Sequence, residues 1–195
     1  DSLLAQTYSN LEIICVEDCS TDDSSKIAKA YAADHERIRL ICHDCNVGLG
    51  PARNTGLKLA SAPLVGFVDS DDYVHASMYE KLYSLLTKHG ADIAQCSAFF
   101  VEEDGTVLNK RPGASGCCRN EPLLCLYGPQ GTPEFVGAAW NKLYKKELFT
   151  AHDIEYPPHY FEDIPVMVRL LYYAKCVASL EEGLYYYVQR PDSIV

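Results

Sequence analysis

Short continuous apolar runs alternate with longer amphipathic ones through residues 1–101. Leu11-Glu12-Ile13-Ile14-Cys15-Val16 is a run of the kind that forms a strand covered on both faces. A polar turn over Glu17–Asp22 follows, where Ser20 or Thr21 is placed to cap a helix over about 22–34 with Ile27, Ala30, Tyr31 and Asp34 on one stripe. A second strand spans Ile38–Cys42, a loop runs through Asn46-Val47-Gly48-Leu49-Gly50, and a helix over about 51–61 starts at Pro51, which suits a first helical position. Leu64-Val65-Gly66-Phe67-Val68 is a third strand, ending abruptly in Asp69-Ser70-Asp71-Asp72. A helix over about 77–89 carries Met78, Leu82, Leu85 and Leu86 on one face and stops at Gly90, and a strand over 92–101 closes this half. Alternation at this pitch predicts βαβ units: an α/β fold with a mostly parallel central sheet flanked by helices, whose ligands bind beyond the carboxyl ends of the strands.

The rhythm then breaks. Asp104-Gly105 reads as a hairpin turn. Residues 112–131 are loop-rich around a short helix near 122–127, and 140–149 form a dense apolar and basic segment. Phe161-Glu162-Asp163 opens a helix to about 174 with Val166, Leu170 and Tyr173 on one face, and a tyrosine-rich strand over 183–188 ends the pattern. The expected division is a regular half, 1–101, and an irregular half of the same domain, 102–195.

Composition narrows the function classes. Acidic residues outnumber basic ones 27 to 17, a net charge of −10, without any extended Lys/Arg cluster, which argues against nucleic acid as a partner. No apolar stretch approaches the ~18 residues of a membrane span. The cysteine count is odd, nine, and Cys15, Cys42 and Cys96 lie inside strand-like runs where reduced thiols act as small hydrophobes, so a reducing cytoplasm fits best. Cys42 and Cys45 flank His43 without a second pair at zinc-ribbon spacing, and Cys117-Cys118 falls in a loop without an assigned role.

The chemistry concentrates at Asp69, Asp71 and Asp72. Carboxylates packed this closely repel one another unless a cation or strong donors neutralise them. A hard divalent cation, magnesium or manganese, takes oxygen ligands and bridges to phosphate at such a strand end. An isolated Asp-x-Asp would read as a solvated turn. Here Glu17 and Asp18 end another strand on the same expected sheet edge, which points to a single crevice.

Six segments in order, Gln6-Thr7-Tyr8, Val16 to Asp22, Asn46-Val47-Gly48 through Ala52-Arg53-Asn54-Thr55-Gly56, Phe67 to Asp72, Trp140-Asn141-Lys142-Leu143-Tyr144 and Glu162-Asp163, resemble a family 2 glycosyltransferase of the GT-A fold. The resemblance implies that 1–101 is the nucleotide-sugar-binding half and 102–195 the acceptor-binding half. It implies that Asp18, with Glu17 beside it, accepts the uracil imide hydrogen of a UDP-sugar, that Arg53 lies near base and diphosphate, and that Asp69 holds the ribose. Asp71 is similar to the metal ligand, with Asp72 supporting; Asp163 matches the catalytic base; Trp140 and Glu162 line the sugar or acceptor pocket. Such chemistry uses a metal as Lewis acid on the leaving diphosphate and one carboxylate to take the acceptor hydroxyl proton, giving inversion.

The implied partners are a UDP-sugar and a glycan or lipid-linked acceptor, with a cytoplasmic location that leaves room for association with the inner membrane face and for a dimer. Two features depart from the family pattern. Glu17 and Cys19 stand where Asp and glycine are usual, and the opening strand, expected between 11–16 and 64–68, has no counterpart in these residues. The latter implies a gap in the sheet and a chain that is inactive, unstable or completed by another copy. A metal-dependent nucleotidyltransferase and a non-catalytic nucleotide-sugar-binding module are the alternative readings.

Overall fold

A computed structural model describes residues 1–111, 113–123 and 137–190; past Leu123, the short helix expected near 122–127 lies outside them. In chain order the elements are β1 (Ile13–Glu17), α1 (Ser24–Asp34), β2 (Ile38–Cys42), α2 (Leu49–Leu59), β3 (Leu64–Val65), β4 (Tyr73–Val74), α3 (Met78–His89), β5 (Ile93–Val101), β6 (Val107–Lys110), β7 (Gly116–Arg119), β8 (Lys142–Lys145), α4 (Glu147–Thr150), α5 (Asp163–Tyr173) and β9 (Cys176–Val188).

The α/β architecture is the expected one, with a correction to strand direction. β1 and β2 pair in parallel as a two-stranded sheet. The other strands form a seven-stranded sheet of order β3-β8-β5-β9-β4, with β6 on β5 and β7 on β9. Among the described residues only β5 and β9 run parallel in it, and the remaining pairs are antiparallel, so the sheet is mixed. The reason is the connections: β9 follows a crossover helix, α5, whereas β6 returns through the Asp104-Gly105 turn, which can only produce an antiparallel partner. Among the described residues β1 pairs only with β2 and β3 only with β8, so no ladder joins the two at the place where the gap is expected.

β5 separates two apolar clusters. Its neighbours Ile93 and Ala94 enter different clusters, as side chains on opposite faces of a strand must. On one face Leu57 of α2 meets Phe149, Val166 and Leu170; on the other Met78, Leu82 and Leu86 of α3 meet Trp140 and Tyr185. Burial of each such aliphatic side chain contributes about 1.5–3 kcal/mol. α3 buries the predicted stripe and ends at Gly90 in the left-handed conformation (φ 58°), its N–H on the carbonyls of Leu86 and Thr87.

Several local expectations change. α1 has no fully buried residue, and Ile27, Ala30 and Asp34 are exposed; the partly covered positions are Ser25, Ala28, Tyr31 and Ala32. Its N-cap is Asp23 rather than Ser20 or Thr21. α5 buries Val166, Met167, Leu170 and Leu171, while Tyr173 stays exposed and stacks on His152. Cys117 and Cys118 belong to β7, which pairs with the early part of a thirteen-residue β9. Burial pushes the Cys96 thiol up to about 12, in keeping with an inert core thiol.

Candidate active site

The turn after β1 is held from within. Glu17 accepts the Ser20 N–H at 2.5 Å, and the Ser20 hydroxyl together with that N–H keeps its carboxylate below the usual range. Cys19 takes φ 58°, the left-handed conformation that glycine would adopt without strain. Asp18 reaches across to the loop before α2. Its Oδ1 accepts from His43 Nδ1 at 2.7 Å and from Val47 N–H at 3.0 Å, and its Oδ2 accepts from Gly48 N–H at 2.7 Å. Burial raises the Asp18 pKa, but the His43 and backbone donors outweigh it and the net shift is downward. Gly48 has φ 91°, which suits only glycine.

Helix α2 joins this turn to the second acidic turn. Gly48 at its N-cap touches Asp18, and Arg53, five residues and about 7–8 Å further along the axis, touches Asp69. Arg53 is buried and spans two carboxylates, with Nη2 on Asp69 Oδ1 at 2.7 Å and Nη1 on Glu162 Oε1. Its guanidinium also lies over the Tyr156 ring. Burial would lower the Arg53 pKa, but Asp69 and Glu162 drive it above its ordinary value, so the cation is permanent. Asn54 completes the junction by exchanging two 2.8 Å hydrogen bonds with the backbone of Tyr156. Helix and segment touch so closely at Gly50 that a Cβ there would fall 2.1 Å from the Pro157 carbonyl oxygen. The Tyr156 hydroxyl is buried without a partner among the described residues.

The carboxylate turn itself rests on β9. Tyr185 accepts the Asp69 N–H at 3.2 Å and donates to Asp72 Oδ2 at 2.6 Å, while Val188 N–H donates to Asp72 Oδ1 at 2.8 Å. Burial pushes Asp72 up to about 6 against these donors, with Asp69 and Asp71 adding repulsion. Trp140 is buried against Tyr185 (centroids 4.6 Å) and Tyr187 (5.6 Å), so it backs the turn as a packed ring. Asp71 is exposed. Asp163 begins α5 beside Glu162, half-buried; burial and then the Glu162 charge raise its pKa, while Arg53 opposes them.

The profile of "Glycosyl transferase family 2" matches residues 1–151. The chain belongs to glycosyl transferase family 2. It is 35% identical over 197 residues to "Uncharacterized glycosyltransferase EpsJ" of Bacillus subtilis, covering all of this chain and 57% of that protein. It is 31% identical to "Glycosyltransferase GlyG" of Streptococcus pneumoniae, again over all of this chain and 66% of the relative. The chain thus spans little more than half the length of several curated relatives it matches. Among solved structures, S. aureus TarS 1–349 in complex with UDP-GlcNAc superposes with a TM-score of 0.82 at 23% identity, over 98% of this chain and 54% of that 1–349 chain, which establishes the shared fold.

In this family 2 chain the structure joins Arg53, Asp69 and Glu162 directly, with Asp163 and the Asp71-Asp72 turn adjoining them in sequence. Glu17 and Asp18 stand off at the other end of the same α2 segment. Tyr185, Asn54 and His43 were not anticipated as site residues. The tyrosine-rich strand signalled only packing, and His43 stood out only for its cysteine neighbours. Beneath the site, Asn141 (φ 57°) bonds the Cys96 carbonyl, and fully buried Lys142 donates to Ala138 O at 2.7 Å and Asn141 Oδ1 at 2.8 Å. Burial pulls the Lys142 pKa well down.

Proposed function

We propose that this chain carries the donor-binding and catalytic part of an inverting glycosyltransferase that moves a sugar from a UDP-sugar to a hydroxyl of a surface glycan or lipid-linked acceptor. The observation that carries the reading is Arg53, which fastens Asp69 of the donor half to Glu162, the residue next to Asp163. Family membership supports the reaction class. Relatives named "Poly(ribitol-phosphate) beta-glucosyltransferase" and "Cholesterol galactosyltransferase" support hydroxyl-bearing acceptors, a polyol phosphate polymer and a sterol, and TarS crystallised with UDP and UDP-GlcNAc supports the donor. No helix among the described residues is long and apolar enough to cross a membrane, and contact with the inner membrane face belongs to the proposal.

The residues present fit a divalent cation that arrives with the diphosphate. Among the described residues no three His, Cys, Asp or Glu side chains form a chelating group, so the protein alone offers no cage. Asp71 offers an exposed oxygen donor, and magnesium or manganese is commonly held by one or two carboxylates plus substrate phosphates. The cation would supply Lewis-acid stabilisation of the leaving diphosphate. Asp18 accepts the uracil imide N–H, Asp69 holds the ribose on the side left open by Arg53, and Asp72 fixes the turn from which Asp71 projects. Asp163, its proton affinity raised by burial, takes the acceptor hydroxyl proton as the oxygen attacks the anomeric carbon from the face opposite UDP. With one base and no covalent intermediate the anomeric centre inverts.

Release of UDP from a panel of UDP-hexoses and UDP-N-acetylhexosamines tests the assignment. At least one donor is expected to release UDP with manganese, with EDTA or Asp71→Asn removing at least nine-tenths of the rate. Turnover indifferent to both would overturn the metal assignment, and no turnover of any UDP-sugar would overturn the donor.

A further inference from the structure

Asp18 is not held by its own turn. Its ring partner His43, just past β2, touches two elements at once: Nδ1 meets Asp18 Oδ1 at 2.7 Å and Nε2 meets Thr55 Oγ1 of α2 at 3.0 Å. The imidazole is mostly covered, and His43, Val47 and Thr55 border a cleft of about 440 Å³. An ionised carboxylate only accepts, so Nδ1 carries the proton shared with Asp18. Thr55 suits either state of the other nitrogen. It donates to a neutral Nε2, or it accepts from a protonated one and turns its own hydrogen to the Pro51 carbonyl 3.1 Å away. The anchor therefore holds with or without charge on His43.

A lone-pair count shows what the anchor leaves free. His43 and Val47 fill Oδ1; Gly48 takes one lone pair of Oδ2, and Val47 approaches Oδ2 only as a weaker second contact at 3.2 Å. One acceptor position on Oδ2 remains. Without His43 the carboxylate keeps only the backbone donors of Val47 and Gly48 and loses its shortest contact on Oδ1, so its free acceptor is held less firmly in direction. Resting on the reading of Asp18 as the base acceptor, we propose that His43 is a positioning residue for base recognition, locking the Asp18 carboxylate so that Oδ2 presents one lone pair to the imide N–H of uracil. The group recognised is a planar N–H flanked by carbonyls, which adenine lacks.

Calorimetric titration of UDP and of ADP, each with manganese, tests this in the wild type, His43→Phe, His43→Asn, Thr55→Val and Asp18→Asn. His43→Phe is expected to weaken UDP roughly tenfold or more while ADP changes less than about twofold, because the lost hydrogen bond serves the base and not the diphosphate. His43→Asn, whose side-chain N–H stands near the Nδ1 position, is expected to recover most of the loss. Thr55→Val, which removes only the outer anchor and little of the fold, is expected to lose about threefold for UDP alone. Equal weakening of UDP and ADP would mark a merely structural role and overturn the proposal, as would UDP affinity in His43→Phe within twofold of wild type or an His43→Asn as poor as His43→Phe. If His43→Phe does not fold, His43→Asn and Thr55→Val decide. Asp18→Asn separates the two levels: unchanged UDP preference there would overturn the base-acceptor reading itself, whereas loss of the preference there together with a His43→Phe that keeps wild-type UDP affinity would overturn only the role of His43.

Discussion

Asp163→Asn is expected to lower the rate of sugar transfer by roughly 10²–10⁴-fold, the range of a lost general base, and to leave manganese-dependent UDP affinity nearly unchanged. The separation follows from position. Asp163 opens α5 in the half that follows Trp140, and it makes none of the contacts that order the donor-side turns. Asparagine keeps the size and removes the proton acceptor. Burial raises the Asp163 pKa, and the neighbouring Glu162 charge raises it further. The base works only when ionised, so the rate falls as pH drops through that raised value. Glu162→Gln removes the repulsion and leaves Arg53 closer to unopposed, so the pKa falls and the acid limb of the pH–rate profile moves to lower pH. Steady-state rates against pH beside UDP calorimetry check both statements; full activity in Asp163→Asn would show the base assignment to be wrong.

Arg53→Ala is expected to destabilise the fold by about 3–5 kcal/mol, the cost of leaving buried charges without their partner. Arg53 and Glu162 are each only 8% exposed, and Arg53 also holds Asp69, so its loss strands one buried carboxylate and loosens another. Against a typical total of about 5–15 kcal/mol this is a large fraction. At roughly 2–4 °C per kcal/mol for a chain of this size, the thermal midpoint should fall by roughly 6–20 °C. Arg53→Lys should fall between, because an ammonium keeps the charge but cannot present two parallel donor edges to two carboxylates. Scanning calorimetry reads the difference. An unchanged midpoint in Arg53→Ala would mean that the two halves are joined by something other than this bridge.

Residues 1–101 were legible because their signals are local. The stripe on α3, the stop at Gly90 and the acidic end of β1 each follow from a few adjacent residues, whereas the strand expected over 64–68 pairs only over Leu64–Val65. What escaped was set by partners far along the chain. Arg53 and Glu162 are 109 residues apart, and Asp72 and Tyr185 are 113 apart; neither pairing leaves a trace in local periodicity. Direction in the sheet escaped for the same reason, since β8 runs antiparallel to β5 only because of how the chain returns from the irregular half. The α1 stripe was misplaced because that helix covers only a two-stranded sheet and buries no residue fully, so no core demand selects its face. Trp140 illustrates the limit at the site: the resemblance implied a pocket residue, and the ring is packed against Tyr185, whose hydroxyl in turn holds the carboxylate turn.

The central claim is a metal-dependent UDP site at the turn that Arg53, Asp69 and Tyr185 hold in place. Calorimetric titration of UDP into the protein with manganese, repeated with EDTA and with Asp71→Asn, tests it most directly. The account predicts binding with manganese that EDTA abolishes and Asp71→Asn weakens at least tenfold, about 1.4 kcal/mol. UDP binding of equal strength in all three would contradict it.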